Sequence, residues 1–325
     1  MAKILITGSA GLVGGEAVAF FRNQGWEVTG IDNNMRAKLF ATNPQEVEIE
    51  CDIRDYKTVD ALFTDADFDA IIHTAAQPSH DWSKDHPIDD FVINTIGTLN
   101  LLEATRRHCP NAVFVNMSTD KVYGENMKRS NLEETDTRYD HPVPYDETLS
   151  VDQSVHSPFG VSKIAADLYV QEYSYQYGIK AVNFRAGCIT GRRHQGAELH
   201  GFLAYLAKCI KTGTKYRIFG YKGKQVRDQI HAYDLVCAMY HFILNPKIAA
   251  VYNIGGGPER SVSILEAIKL IEKQVKKKAV LEFVDEPRFG DRQWDVIDSS
   301  KFKKDYPNWA YTYSLQDIIK DLCTE

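Results

Sequence analysis

Residues 3–15 read KILITGSAGLVGG. The opening KILITG is a short apolar run and predicts a buried strand. The remainder places Gly8, Gly11 and Gly14 three residues apart, directly before an amphipathic stretch over 12–24 that predicts a helix. Gly8 permits a tight turn, Gly11 lets the backbone approach a pyrophosphate, and Gly14 lets the helix lie close on the strand. The helix then presents its N-terminal amides to an anion. Tight strand–helix turns need glycine for steric reasons alone, so the motif gains its weight from the pattern downstream.

That pattern is an alternation. EVTGID (27–32), EVEIEC (46–51), DAIIHT (69–74), AVFVNMS (112–118) and KAVNFRAG (180–187) read as strands. The segments 57–64, 88–108 and 158–177 read as helices between them. Nearly continuous apolar strands separated by helices predict an α/β fold, a Rossmann-type doubly wound parallel sheet covered on both faces. We place it in residues 1–185, with a smaller C-terminal substrate domain in 186–325 interleaved with it. One clear helix is expected there early on, near 200–211. The connection 125–157 carries Pro142 and Pro144, and its length suggests a binding loop. The basic run EKQVKKKAV (272–280) reads as the solvated face of a helix.

The second strand ends in Asp32, followed by Asn33. An acidic side chain here can accept hydrogen bonds from an adenosine ribose and would repel a 2′-phosphate, so NAD is expected rather than NADP. Asp52 and Ile53, after the third strand, are candidates for the adenine end.

Composition narrows the class. Of 325 residues 44% are apolar and 25% charged, and the net charge is −6. That balance argues against a nucleic-acid or membrane-surface binder. No window approaches the ~18 apolar residues of a membrane span, and the first apolar run is too short for a signal peptide, so a cytoplasmic protein is expected. Six scattered cysteines at 51, 109, 188, 209, 237 and 323, without a C-x-x-C pair, point to neither a metal site nor a disulfide framework.

Seven motifs then occur in order: TGSAGLVGG (7–15), HTAAQ (73–77), NTIGTLNLLEA (94–104), MSTDKVYG (117–124), SPFGVSK (157–163), RDQIHAYDL (227–235) and NIGGG (253–257). Together they resemble the extended short-chain dehydrogenase/reductase family along the whole chain. Within it the chain is similar to the nucleotide-sugar epimerases and dehydratases. The runs ETDTRYDHPVPYDETLSVDQSVHSP (134–158), GKQVRDQIHAYDL (223–235) and DRQWDVIDSSK (291–301) bring it nearest to 2-epimerases of CDP-linked 3,6-dideoxyhexoses.

The resemblance implies a tightly held NAD⁺ that takes a hydride from C2 of the sugar and returns it to the opposite face. It implies a cofactor set of Gly8, Gly11, Leu12, Val13, Asp32, Asn33, Asp52, Ile53, Ala75, Gln77, Asn94 and Lys163. Thr119 would hydrogen-bond the reacting hydroxyl. Lys163 would bind the nicotinamide ribose and lower the pKa of a tyrosine four residues before it. On the substrate side the resemblance points to Gln77, Asp120, Lys121 and the arginines Arg192, Arg227 and Arg292, with Arg193 beside the first, for a diphosphate or sugar. His231 and Asp234 would hold the nearby loop in shape. A homodimer or homotetramer through helices 88–108 and 158–177 is implied as well. Two departures stand out. Lys121 follows Asp120 where the dehydratases carry glutamate, which disfavours dehydration. Cys188 stands where many relatives carry asparagine or serine.

The third departure is the sharpest: position 159 is phenylalanine, not the tyrosine that serves as acid and base. General acid–base catalysis contributes ~10²–10⁴-fold, so turnover by the family mechanism is expected to be impaired. One reading is a Tyr→Phe change introduced into an otherwise intact site, which the surviving Thr119 and Lys163 favour. A second is another acid–base group, with Thr119, Lys163, Tyr145 and His194 as candidates. A third is a non-catalytic nucleotide-sugar binder, in which Thr119 and Lys163 had no reason to persist. A 4-epimerase on another nucleotide sugar is the rival enzyme.

Overall fold

The structure, a computed structural model, describes residues 1–35, 37, 47–194, 196–198, 201–288 and 290–324. Seven strands form the central sheet: β1 (Lys3–Thr7), β2 (Glu27–Asp32), β3 (Ile49–Glu50), β4 (Ala70–His73), β5 (Val113–Thr119), β6 (Ala181–Ala186) and β7 (Ala250–Ile254). Their order across the sheet is β7-β6-β5-β4-β1-β2-β3, and every pairing is parallel. The chain winds outward in both directions from β1 and β4, so the loops at their carboxyl ends leave a crevice between them. Ile4, Leu5, Ile6, Ile71 and Ile72 are fully buried, as expected of strands covered on both faces.

The helix Leu12–Asn23 packs on one face with Ala232–Leu244, and the Gly97–His108 and Pro158–Tyr177 helices cover the other. The expected helix over 88–108 is three segments: a short α-helix Pro87–Phe91, a π-helical turn Val92–Ile96 and the α-helix Gly97–His108. The expected third strand shrinks to Ile49–Glu50, and residue 46 of EVEIEC lies outside the described residues.

Beyond residue 186 the chain does two things. It returns to the sheet with β7 and with the helix Ser300–Asp305, whose Phe302 joins the same core as Val182 and Phe184. It also builds a smaller body around the helices Phe202–Thr212, Ile264–Val275 and Leu315–Cys323, with Leu206, Ile218, Ile268 and Ile318 in its core. The basic run is only partly helical. The helix stops at Val275, Lys276 takes a left-handed conformation, and Lys278 pairs with Glu272, a stabilising place for cations at a helix C-terminus.

The 125–157 connection departs from expectation. It contains a 3₁₀ stretch ending at Met127 and a small hairpin (Glu133–Glu134 with Tyr139–Asp140), and it docks against Trp294 and Ile297 through Tyr145. Its apolar residues serve a satellite core. Among the described residues no helix is long and apolar enough to cross a membrane. The six cysteines are free thiols.

Candidate functional site

A cavity of about 800 Å³ runs from the glycine loop to Arg227. Its first end is shaped by steric demand. Gly8 sits at φ +72°, and a Cβ there would lie 2.7 Å from the Ala75 nitrogen. A Cβ on Gly14 would lie 2.1 Å from the Gly8 carbonyl oxygen, so this residue sets how closely helix and loop approach. Gly11 is the N-cap of the helix and offers no side-chain cap. The first-turn amides are therefore left for an anion. Leu12 and Val13 complete that wall.

The Asp32 carboxylate accepts from the Ala10 amide at 3.1 Å and the Asn34 amide at 2.8 Å, so β2 and the loop are tied together around it. Next to it Asn33 donates to Asp52 at 3.0 Å. Asp52 has its pKa lowered to about 2, chiefly by hydrogen bonding to Arg54. Ile53 and Ala75 line the same wall. An uncapped helix start, a cradle that any Cβ would fill, and an acidic side chain at the end of β2 fit a dinucleotide.

In the middle, Thr119, Phe159 and Lys163 all face the cavity. Thr119 also accepts from the Lys121 amide at 3.3 Å and so caps the turn after β5. Lys163 is buried and donates to the Met117 carbonyl at 2.6 Å. Burial depresses its pKa to about 8, against the pull of Asp167 and Asp90. Ser157 caps the helix that carries Phe159 and Lys163, with Pro158 at its first position, a strong local start signal.

Two expected contacts are engaged elsewhere. Gln77 reaches the cavity wall, but its amide donates to Asp90 (2.6 Å) and the Ser79 carbonyl (3.0 Å). Asn94 does not line the cavity: it is buried behind the wall, bonded to Gln77, Asp90 and Ser162. That network pins the π-helical turn to the helix Pro158–Tyr177.

The far end is a lattice of charges. Lys121 bridges Asp120 (2.8 Å) and Asp295 (3.2 Å). Arg227 pairs with Asp291 and with Asp295 at 3.4 Å. Burial works to raise the Asp295 pKa, but Arg292, Lys121 and Arg227 hold it well below the usual range. Asp120, Lys121 and Arg227 line the cavity. Arg292 does not. It sits behind them, bonded to the Gly124 carbonyl (3.0 Å), Asp120 (3.1 Å) and Asp295 (2.7 Å). Arg192 also stays out: it is 73% exposed and pairs with Asp321, while Arg193 next to it lines the cavity. His231 caps the Ala232–Leu244 helix and stacks on Tyr313 at 3.7 Å, and Asp234 accepts from the Thr312 and Tyr313 amides. Both brace the loop, as expected of them. Cys188 is a wall residue whose thiol is pushed up to about 12 by burial.

Of the alternative proton carriers, Tyr145 is buried in the satellite core with its hydroxyl bonded to the Met127 and Trp294 carbonyls, so it is not available. His194 lines the cavity against Gly201. His80 and Arg288 line it too and carry no periodic or motif signal that would single them out.

The NAD dependent epimerase/dehydratase family model matches residues 4–255. The chain belongs to that family. Over 98% of both chains this epimerase/dehydratase family member is 36% identical to the CDP-paratose 2-epimerase of Salmonella typhi. It is 30% identical to a putative UDP-glucose 4-epimerase of Methanocaldococcus jannaschii, over 98% of this chain and 96% of the other. A solved UDP-glucose 4-epimerase of Thermotoga maritima with UDP-glucose superposes with a TM-score of 0.82 at 28% identity, covering 98% and 97% of the two chains. NAD is the cofactor of this family, and the glycine-loop end of the cavity is where this chain would hold it.

Proposed function

We propose that this protein epimerises a nucleotide sugar, most specifically at C2 of a CDP-linked 3,6-dideoxyhexose, by transient oxidation to a keto sugar. The observation that carries the reading is that one cavity joins the glycine loop, the Thr119–Phe159–Lys163 group and Arg227. A dinucleotide at one end and a sugar diphosphate at the other would meet at that group. NAD⁺ supplies the hydride acceptor. Thr119 and Lys163 orient the sugar hydroxyl and the nicotinamide ribose, and Arg227 meets the diphosphate. The choice of base and carbon rests on the full-length relationship to CDP-paratose 2-epimerase.

Lys121 supports epimerisation over dehydration. An ammonium held between two carboxylates stands where a dehydratase needs a carboxylate base. Self-association is part of the same reading: Val161, Leu168, Tyr169 and Tyr175 of the Pro158–Tyr177 helix and Ile88 beside it are exposed apolar side chains that a homodimer or homotetramer would cover.

The test is direct. The chain is incubated with NAD⁺ and, separately, CDP-paratose, UDP-glucose and dTDP-glucose, and the products are read by proton NMR. C2 inversion of the CDP-sugar without net NADH is the expected result. Inversion of UDP-glucose at C4 in its place overturns the choice of sugar, and loss of water from dTDP-glucose overturns the reaction type.

A further inference from the structure

We propose that His80 is the proton carrier of this site, in the role that the missing phenol at position 159 leaves vacant. This rests on the epimerase reading and deepens it.

His80 opens the short helix His80–Asp85 just after β4 and lines the cavity together with Thr119, Phe159 and Lys163. Its imidazole meets the Phe159 ring edge-on, with centroids 4.9 Å apart. Its Nδ1 lies 2.8 Å from the Ser157 hydroxyl, which also accepts from the Gly160 amide. The Phe159 amide donates to the Ser83 hydroxyl at 3.3 Å. These contacts, each between residues more than seventy positions apart, lock this helix onto the start of the Phe159 helix. The other nitrogen, Nε2, is buried and has no hydrogen-bond partner among the described residues. A buried imidazole nitrogen without a partner calls for an explanation, and a substrate hydroxyl provides one.

The chemistry follows from that arrangement. A serine hydroxyl can donate or accept, so Ser157 can hold Nδ1 in either tautomer and leave Nε2 to gain or lose a proton. In the forward half-reaction the sugar O–H bond breaks and its proton forms the Nε2–H bond. The carbon bearing that oxygen would lose its hydride to bound NAD⁺, the chemistry that cofactor would supply, as the carbonyl forms. In the return half the hydride would come back to the other face and Nε2 would give its proton to the oxygen, so nothing is consumed.

The surroundings set the resting state. Burial first, then Lys121, Arg292 and Arg288, lower the His80 pKa to about 3 against the opposing charge of Asp120. The ring is therefore neutral at pH 7, the form a base requires. A diphosphate bound at Arg227 would add negative charge to this end and so raise the proton affinity of Nε2 when substrate is present.

The experiment uses the full chain with NAD⁺. His80→Asn keeps a donor near the Nδ1 position and removes Nε2. It is expected to lower kcat for CDP-paratose by ~10²–10⁴-fold, the usual contribution of a general acid–base group, while calorimetric affinity for CDP stays within about threefold, well under the factor of ten that corresponds to about 1.4 kcal/mol. Adding Phe159→Tyr to His80→Asn is expected to restore turnover at least in part, because a phenol then stands one helical turn before Lys163. The independent readout is the ¹⁵N shift of the His80 Nε2 in the unaltered chain with CDP-glucose against CDP alone. A shift specific to the sugar-bearing ligand is expected. Should His80→Asn keep its kcat, or should Nε2 respond equally to CDP and CDP-glucose, the proposal is overturned. If the unaltered chain turns over none of the nucleotide sugars, the epimerase reading fails, and the nitrogen shift still decides whether His80 touches the sugar.

Discussion

At the glycine-loop end of the cavity the wall is main chain and small side chains, and each position is fixed by what a Cβ would hit. At the Arg227 end the wall is a set of paired charges in which Asp120 and Asp295 are each shared by more than one cation. The first kind of site tolerates no added atoms. The second tolerates no removed ones, because a buried ion left without its partner is costly. Substitutions should therefore act on ligand affinity at one end and on folding at the other.

The largest effect is expected for Arg292→Met. Arg292 touches Asp120, Asp295 and the Gly124 carbonyl behind the wall, so its loss exposes two buried carboxylates to incomplete compensation. Urea unfolding should report a loss of about 3–5 kcal/mol. Affinity for CDP in the surviving folded protein should change little. A large loss of affinity without a loss of stability would place Arg292 on the diphosphate and break the contrast.

Next come two buried titrations with opposite slopes. Burial raises the Asp228 pKa to about 7, although its carboxylate accepts from the Gly257 and Ile297 amides. A carboxyl protonated in the fold but ionised in the unfolded chain contributes stability below about pH 4 that is lost as pH rises toward 7. One oxygen takes both amides, so Asp228→Asn can keep those bonds and should flatten that fall. His73, clamped between Thr7 and Thr98, is depressed to about 3 by burial and by Lys163. It must stay neutral in the fold, so its contribution is full above about 6.5 and lost as pH falls. Urea midpoints at pH 4, 5.5 and 7 for the parent, Asp228→Asn and His73→Gln separate the two.

Gly14→Ala sharpens the comparison from the other end. The added methyl would meet the Gly8 carbonyl oxygen at 2.1 Å, forcing loop and helix apart. Overpacking of this kind costs about 1–3 kcal/mol, and here it should fall on the anion cradle. NAD⁺ affinity, by fluorescence titration, is expected to drop about tenfold to a hundredfold. An unchanged affinity would mean that the loop does not hold the pyrophosphate.

The same contrast governs what could be read in advance. Gly8, Gly11, Gly14 and Asp32 were legible because their roles follow from local geometry within some twenty-five residues of chain. Phe159 and Lys163 were legible as a pair because one helical turn joins them. The charge lattice was not, since Asp120 and Arg292 meet across 172 positions and no pattern tells an arginine on a cavity wall from one behind it. Asn94 was misplaced for the same reason: burial against Ser162 cannot be read from NTIGTLNLLEA. His80 gave no motif signal, because it meets Ser157 across 77 positions.

The smallest effect belongs to Arg192→Ala, which tests whether Arg192 stays outside the cavity when ligand binds. The Arg192 side chain meets Asp321 at 3.4 Å while largely in solvent, a geometry worth about 0–1 kcal/mol. Its backbone amide also donates to Asp321 at 2.7 Å, and that bond survives the substitution. Asp321 keeps His231 as a second partner at 3.2 Å. Stability and CDP affinity should both stay close to the parent. Arg193→Ala removes a side chain that lines the cavity beside Gly15, so it should weaken ligand binding more than its neighbour does. The reverse order in calorimetry would mean that Arg192 swings inward when ligand binds, and the rim of the charged end would then be assembled by the substrate.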